Sequence, residues 1–201
     1  MLIKGASKLE FLAKGKRSEV YKAFYKKKEV AIKVFKTTDP KIRAKKEAYF
    51  ISLLNKKNIG PKLIFQKDNY IIYKLIEGPR FVDWLEQRNK KEIIQMILKI
   101  IKICYEIDKL KINKLELQNP KKHILIENNN PILIDFEKCY KTNRPKNLTQ
   151  FCQYITSKQI QIILNRKGIE INKDNLIKLL REYKKNINSN IKNILNYVKN
   201  S

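Results

Sequence analysis

Two charged side chains are delivered at the ends of short apolar runs. Lys33 closes Val30-Ala31-Ile32-Lys33, and Asp135 follows Ile132-Leu133-Ile134 ahead of Phe136-Glu137. They stand 102 residues apart. A lysine offered from a strand can neutralise phosphate oxygens, and an aspartate offered the same way can hold Mg²⁺. These are the two fixed charges that a bound nucleoside triphosphate requires. An aspartate after three apolar strand residues is also costly unless it is paired or metal-bound. Each run alone is weak; together, in this order, they point to a nucleotide site.

The elements that must position these charges are legible from pattern. Residues 10–36 read as three strands: Phe11-Leu12-Ala13 leads into Gly15-Lys16-Arg17-Ser18, Val20 to Tyr25 alternates, and Lys26-Lys27-Lys28 fits a solvated turn. The third strand places Val30, Ile32 and Val34 on one face and Lys33 with Ala31 on the other. Asp39-Pro40 marks a helix start, with Asp39 as N-cap, and that helix runs to about Leu54, presenting Glu47 and Ile51 one turn apart. Lys62 to Phe65 and Tyr70 to Leu75 are two further strands.

Glu77-Gly78-Pro79 interrupts regular structure and divides the chain into segments 1–76 and 77–201. Past it the pattern is helical. Phe81, Trp84 and Leu85 suit a short helix, and Glu92 to Leu110 a long one, apolar at Ile93, Ile97, Ile100, Ile101, Cys104 and Ile107. His123 to Ile126 and Ile132 to Ile134 read as short strands joined by Asn128-Asn129-Asn130. The tail repeats apolar residues every three or four positions from Leu176 to Val198.

Composition sets the outer limits. A chain of 201 residues with 43% hydrophobic content supports one domain, or two small lobes sharing a core. It has no apolar run long enough to span a membrane. Met1-Leu2-Ile3-Lys4 lacks the apolar region of a signal peptide. Cys104, Cys139 and Cys152 lack paired spacing and read as thiols in a reducing cytoplasm. The formal charge of +26, from 45 basic against 19 acidic residues, suits an anionic partner such as RNA or a ribonucleoprotein, but a Lys-Ile-Asn bias of this kind arises equally from an AT-rich genome. Lysine enrichment of this kind also accompanies growth at high temperature.

Five strands with one helix, a hinge, and a helical segment containing an I-D-F strand together resemble the protein-kinase fold. More closely, the chain resembles the minimal atypical kinases: the RIO group, the small kinase of the KEOPS tRNA-modification complex, and related archaeal serine/threonine kinases. The resemblance implies an α+β, minimal bilobal fold, with a five-stranded antiparallel N-lobe sheet, one N-lobe helix and a mostly helical C-lobe. It implies ATP and Mg²⁺ as cofactors, with Mn²⁺ as the alternative metal.

Residue by residue, Gly15 and Ser18 stand in the glycine-rich loop, where backbone N–H groups and a hydroxyl meet phosphates. Lys33 of V-A-I-K is implied to bind the α- and β-phosphates while paired with Glu47. Val20 and Ala31 would cover the adenine ring, and the backbone near Lys74 and Ile76 would meet its edge. Asp135 is the implied metal ligand. Kinases carry H-R-D-L-x-x-x-N, whereas this chain has Lys114-Leu115-Glu116-Leu117 and then His123 after a short insertion. Glu116 then aligns with the base aspartate and His123 with the metal-binding asparagine.

Glutamate displaces the carboxylate by about 1.5 Å, a misplacement that can cost ~100-fold in rate. The alternative for Glu116 is a surface or salt-bridged loop carboxylate. His123 reads in three ways: a nitrogen ligand better suited to Mn²⁺ than Mg²⁺, a donor to phosphate, or a packed structural histidine. Lys121 or Lys122 could balance phosphoryl charge. Glu137 replaces the glycine that normally follows D-F, which argues against the backbone swing of regulated kinases.

No A-P-E follows, and the next helix near Phe151 comes too soon for a long activation segment. This favours an ATPase-like switch, autophosphorylation or one dedicated macromolecular substrate. Three functional readings stand: an atypical serine/threonine kinase or ATPase, a pseudokinase scaffold, and an RNA-associated basic module.

Overall fold

The computed structural model describes residues 3–201; Met1 and Leu2, within the segment read above for a leader, lie outside them. The chain separates into two units. The first comprises the chain through Glu77 together with Ile132–Lys138, and the second Gly78–Pro131 with Cys139–Ser201. The strand end bearing Asp135 thus groups with the first unit, although it falls within segment 77–201 of the sequence reading.

The first unit contains β1 (Ala6–Lys14), β2 (Ser18–Tyr25), β3 (Lys28–Phe35), α1 (Pro40–Asn55), β4 (Leu63–Lys67) and β5 (Tyr70–Lys74). The strands form one antiparallel sheet in the order β1-β2-β3-β5-β4. Lys26 and Lys27, both left-handed, make the two-residue turn whose twist matches the flanking strands β2 and β3. Alternation along β3 sends Val30, Ile32 and Val34 into an apolar cluster with Ile3, Ala23, Tyr70 and Ile72. Lys33 is left on the opposite face.

Helix α1 buries Ala44, Glu47, Ala48, Phe50, Ile51 and Leu54. Its start corrects one expectation. Asp39 occupies the N-cap position beside Pro40, but its backbone is left-handed and its side chain caps nothing. Side-chain capping needs the extended backbone that Asp39 lacks.

The second unit opens with α2 (Phe81–Glu86) and α3 (Lys90–Lys109). A reciprocal capping box between Asn89 and Glu92 fixes the start of α3. All six of its expected apolar positions, from Ile93 to Ile107, are buried. Short strands follow along the chain: β6 (Ile112–Asn113), β7 (Ile124–Glu127), β8 (Asn130–Leu133), whose last two residues group with the first unit, and β9 (Tyr140–Lys141), paired as β6–β9 and β7–β8. Four helices complete the chain: α4 (Asn147–Ile155), α5 (Lys158–Arg166), α6 (Lys173–Lys185) and α7 (Ile187–Lys199). The continuous tail periodicity conceals the break at Asn186, whose extended backbone separates α6 from α7. No helix of the described residues is long and apolar enough to cross a membrane.

Two glycines of the second unit separate steric from torsional demand. A Cβ on Gly78 would lie 2.0 Å from the Ile126 carbonyl oxygen, while one on Gly168 (φ 69°) meets nothing within 4 Å. Urea unfolding should show Gly168→Ala costing about 1 kcal/mol, the ordinary left-handed penalty. Gly78→Ala should cost more than about 3 kcal/mol, because the backbone itself must move. Equal losses would contradict this assignment.

Candidate functional site

Lys33, Glu47 and Asp135 meet within the first unit. The Lys33 Nζ donates to Glu47 Oε2 at 2.7 Å and to Asp135 Oδ1 at 2.9 Å. The lysine and glutamate side chains are only 5% and 2% exposed, but that of Asp135 is 38% exposed. Glu47 also accepts from the Phe136 N–H through Oε1, at 3.3 Å. Burial disfavours the Lys33 ammonium, yet Glu47 and Asp135 outweigh it and hold its pKa above the ordinary lysine value. Burial pushes the Glu47 carboxyl up, opposed by Lys33.

Asp135 is the most exposed of the three. Its carboxylate is a hard oxygen donor of the kind that suits Mg²⁺ or Mn²⁺. This donor set fits a divalent cation.

The other first-unit candidates lie on the same sheet or at its strand ends. Gly15 N–H donates to Ser18 O at 2.8 Å, closing the turn between β1 and β2. Gly15 is not left-handed, and a Cβ there would meet Ser18 O at 3.4 Å, so the turn does not itself require glycine. Val20 sits opposite Lys33 in the β2–β3 register, and buried Ala31 shares the Lys33 face. Lys74 ends β5 opposite Val30, and Ile76 follows it.

Glu116 and His123 belong to the second unit. Glu116 has a left-handed backbone, φ 77°. Turns closed by Asn119 N–H to Glu116 O and by His123 N–H to Pro120 O bring Glu116 Oε2 to 3.7 Å from His123 Nδ1. The electrostatic part of this contact depends on protonation of the imidazole.

Sequence reasoning passed over the residues that hold this loop. Asn147 Oδ1 accepts from the Lys114 N–H at 2.7 Å, and its Nδ2 donates to Asp108 Oδ1 at 2.6 Å and to Ile112 O at 2.7 Å. Asp108 also accepts from Asn147 N–H, Leu148 N–H and the Tyr183 hydroxyl. The available signal was Asp108 itself, an acid inside the apolar stripe of α3 next to Ile107. Cys104, Cys139 and Cys152 are free and buried.

The architecture is that of an atypical, RIO-like protein-kinase fold. The crystal structure of the Rio2 kinase from Chaetomium thermophilum superposes with a TM-score of 0.57 at 16% identity, covering 84% of this chain and 60% of that one. A second crystal structure, a kinase domain, gives a TM-score of 0.59 at 18% identity, covering 71% of this chain and 54% of that one. The chain therefore spans less than two thirds of either neighbour. No protein-family model and no curated protein matches it.

Two outcomes follow from the buried charges. Glu47→Leu strips a buried ammonium of a partner and should cost about 3–5 kcal/mol in denaturant unfolding. Lys33→Met combined with Glu47→Leu should recover most of that loss; a double variant as unstable as Glu47→Leu would contradict the charge argument.

Asp108 gives a pH dependence. Burial raises its carboxyl above the ordinary 3.8, against hydrogen bonds from Asn147 and Tyr183. The folded state then holds the proton more tightly than the unfolded state, so the associated stability is full below pH 3.8 and is lost as pH rises through the raised value. Across an acid-to-neutral urea series, the stability of wild type relative to Asp108→Asn should fall. A rising difference would contradict burial as the dominant effect.

Proposed function

We propose that this chain binds ATP with a divalent cation and acts as an atypical serine/threonine kinase or ATPase. The observation that carries the reading is the buried Lys33 held by Glu47 and Asp135, on a fold shared with the Rio2 kinase. A lysine fixed in this way can neutralise phosphate oxygens without paying again to order itself. In the same reading, backbone N–H groups of the Gly15–Ser18 turn approach the phosphates. That the fold does not itself require glycine at position 15 supports a ligand-related reason for it. Val20 and Ala31 flank the base, and the backbone from Lys74 to Ile76 meets its edge.

Asp135 would hold the cation, its hard carboxylate oxygen suiting Mg²⁺ or Mn²⁺. The cation, when bound, neutralises charge developing on the transferred phosphoryl group. Glu116 is the proposed base, accepting the proton of the attacking hydroxyl or water at its carboxylate. Its left-handed backbone is the kind of strain that accumulates at functional positions. Only an irregular stretch with the short β9 separates Asp135 from α4, which supports autophosphorylation or one dedicated macromolecular substrate over extended peptides.

Isothermal titration of ATP with Mg²⁺ or Mn²⁺ tests the reading. Asp135→Ala, and Lys33→Met combined with Glu47→Leu, should each lose about tenfold or more in affinity. Glu116→Gln should keep its affinity and lose about 100-fold in γ-phosphate release or autophosphorylation. Equal affinity of wild type and the charge-deleted variants would sink the ATP site. A wild type that binds ATP but turns over with neither metal would leave a pseudokinase.

A further inference from the structure

Glu137 follows Asp135-Phe136 where kinases carry glycine, and it is a carboxylate only 8% exposed. Its Oε1 accepts from Arg43 Nη1 at 2.6 Å and from Arg17 Nη1 at 3.3 Å. Arg43 lies in the first turn of α1, one helical turn before Glu47, and its Nε donates to Thr38 O at 3.3 Å. Arg17 lies in the turn between β1 and β2, where its carbonyl accepts from Lys36 N–H at 2.8 Å. One carboxylate therefore ties together the turn between β1 and β2, the helix that carries Glu47, and the backbone that carries Asp135. The adjacent Phe136 N–H already donates to Glu47. A carboxylate this buried is retained only when paired, and two guanidinium groups meet that need.

We infer that Glu137 is a positioning residue: its ion pairs with Arg43 and Arg17 hold α1 so that Glu47 stays on Lys33 with no ligand or modification required. Glycine at this position would leave the backbone free to rotate. Glutamate removes that freedom through its Cβ and through two charge-assisted bonds. The helix is then set by the chain's own residues, and the site stands assembled before nucleotide arrives. The consequence for nucleotide affinity rests on the ATP reading of Lys33 and Asp135; the consequence for α1 does not.

The experiment has two arms, with wild type, Glu137→Gln, Arg43→Gln and the double variant. In the nucleotide-free chain, amide hydrogen exchange in α1 from Ala44 to Leu54 should accelerate about tenfold in either single variant, with α3 unchanged. The double variant should exchange no faster than the faster single, because both changes break the same bond. In titration of ATP with Mg²⁺, Glu137→Gln should bind about tenfold more weakly at a temperature where it is fully folded. A merely structural Glu137 would leave that affinity unchanged. Unaccelerated α1 exchange overturns the inference whether or not ATP binds, and so does unchanged affinity in a wild type that binds. A wild type that binds no ATP overturns the nucleotide reading instead, and α1 exchange alone then decides the role of Glu137.

Discussion

A lysine ammonium withdrawn from water must be met by carboxylates, and much of the first unit is arranged to meet that of Lys33. Its position follows from β3, where the alternation that buries Val30, Ile32 and Val34 turns Lys33 to the other face. Removing such a charge from water costs several kcal/mol, so the partners must be close and well aimed. Glu47 arrives from α1 and Asp135 from the end of the Ile132–Ile134 run, both within hydrogen-bond distance. The arrangement is a poor route to stability, since apolar residues of similar size would serve as well. Its retention makes sense if the partly exposed Asp135 carboxylate has a use.

Lys33 and Asp135 were legible because each depends on local pattern: a period of two along a strand, and a charge at the end of an apolar run. Glu47 was partly legible, since its helix could be read from Pro40 and from the apolar spacing around Ile51. Among Lys45, Lys46 and Glu47, however, only the fold decides which side chain turns inward. Local reading also overreached at Asp39, where residue type suggested a cap and the left-handed backbone removed it.

What escaped was non-local. Asp108, Asn147 and Tyr183 come from three helices, and nothing short of their packing reveals that one carboxylate accepts from two side chains and two backbone groups. Glu137 was noticed only as a missing glycine. Its two arginines lie 94 and 120 residues away, and no periodicity links such positions. These residues also answer to different physics: a buried polar network specifies one packing because any unsatisfied member is expensive. The apolar stripe of α3, by contrast, would tolerate several arrangements of similar side chains.

The two acids read as metal ligand and base share an unusual backbone. Asp135 (φ 63°) and Glu116 (φ 77°) are both left-handed, a conformation costing roughly 1–2 kcal/mol for a residue with a Cβ. Such strain persists only where the surroundings over-determine it. In the first unit, the buried Glu47 of α1 captures the N–H of Phe136, one residue after Asp135. In the second, the buried Asn147 of α4 captures the N–H of Lys114, two residues before Glu116. Each unit thus pins the backbone beside its acid with a helix-borne side chain that is itself held by a buried charge, Lys33 in one case and Asp108 in the other. The backbone beside each acid is therefore restrained through a neighbouring N–H group. For the base role proposed for Glu116, this restraint matters more than the identity of the acid: a carboxylate displaced by a methylene would serve only if the chain beneath it does not move.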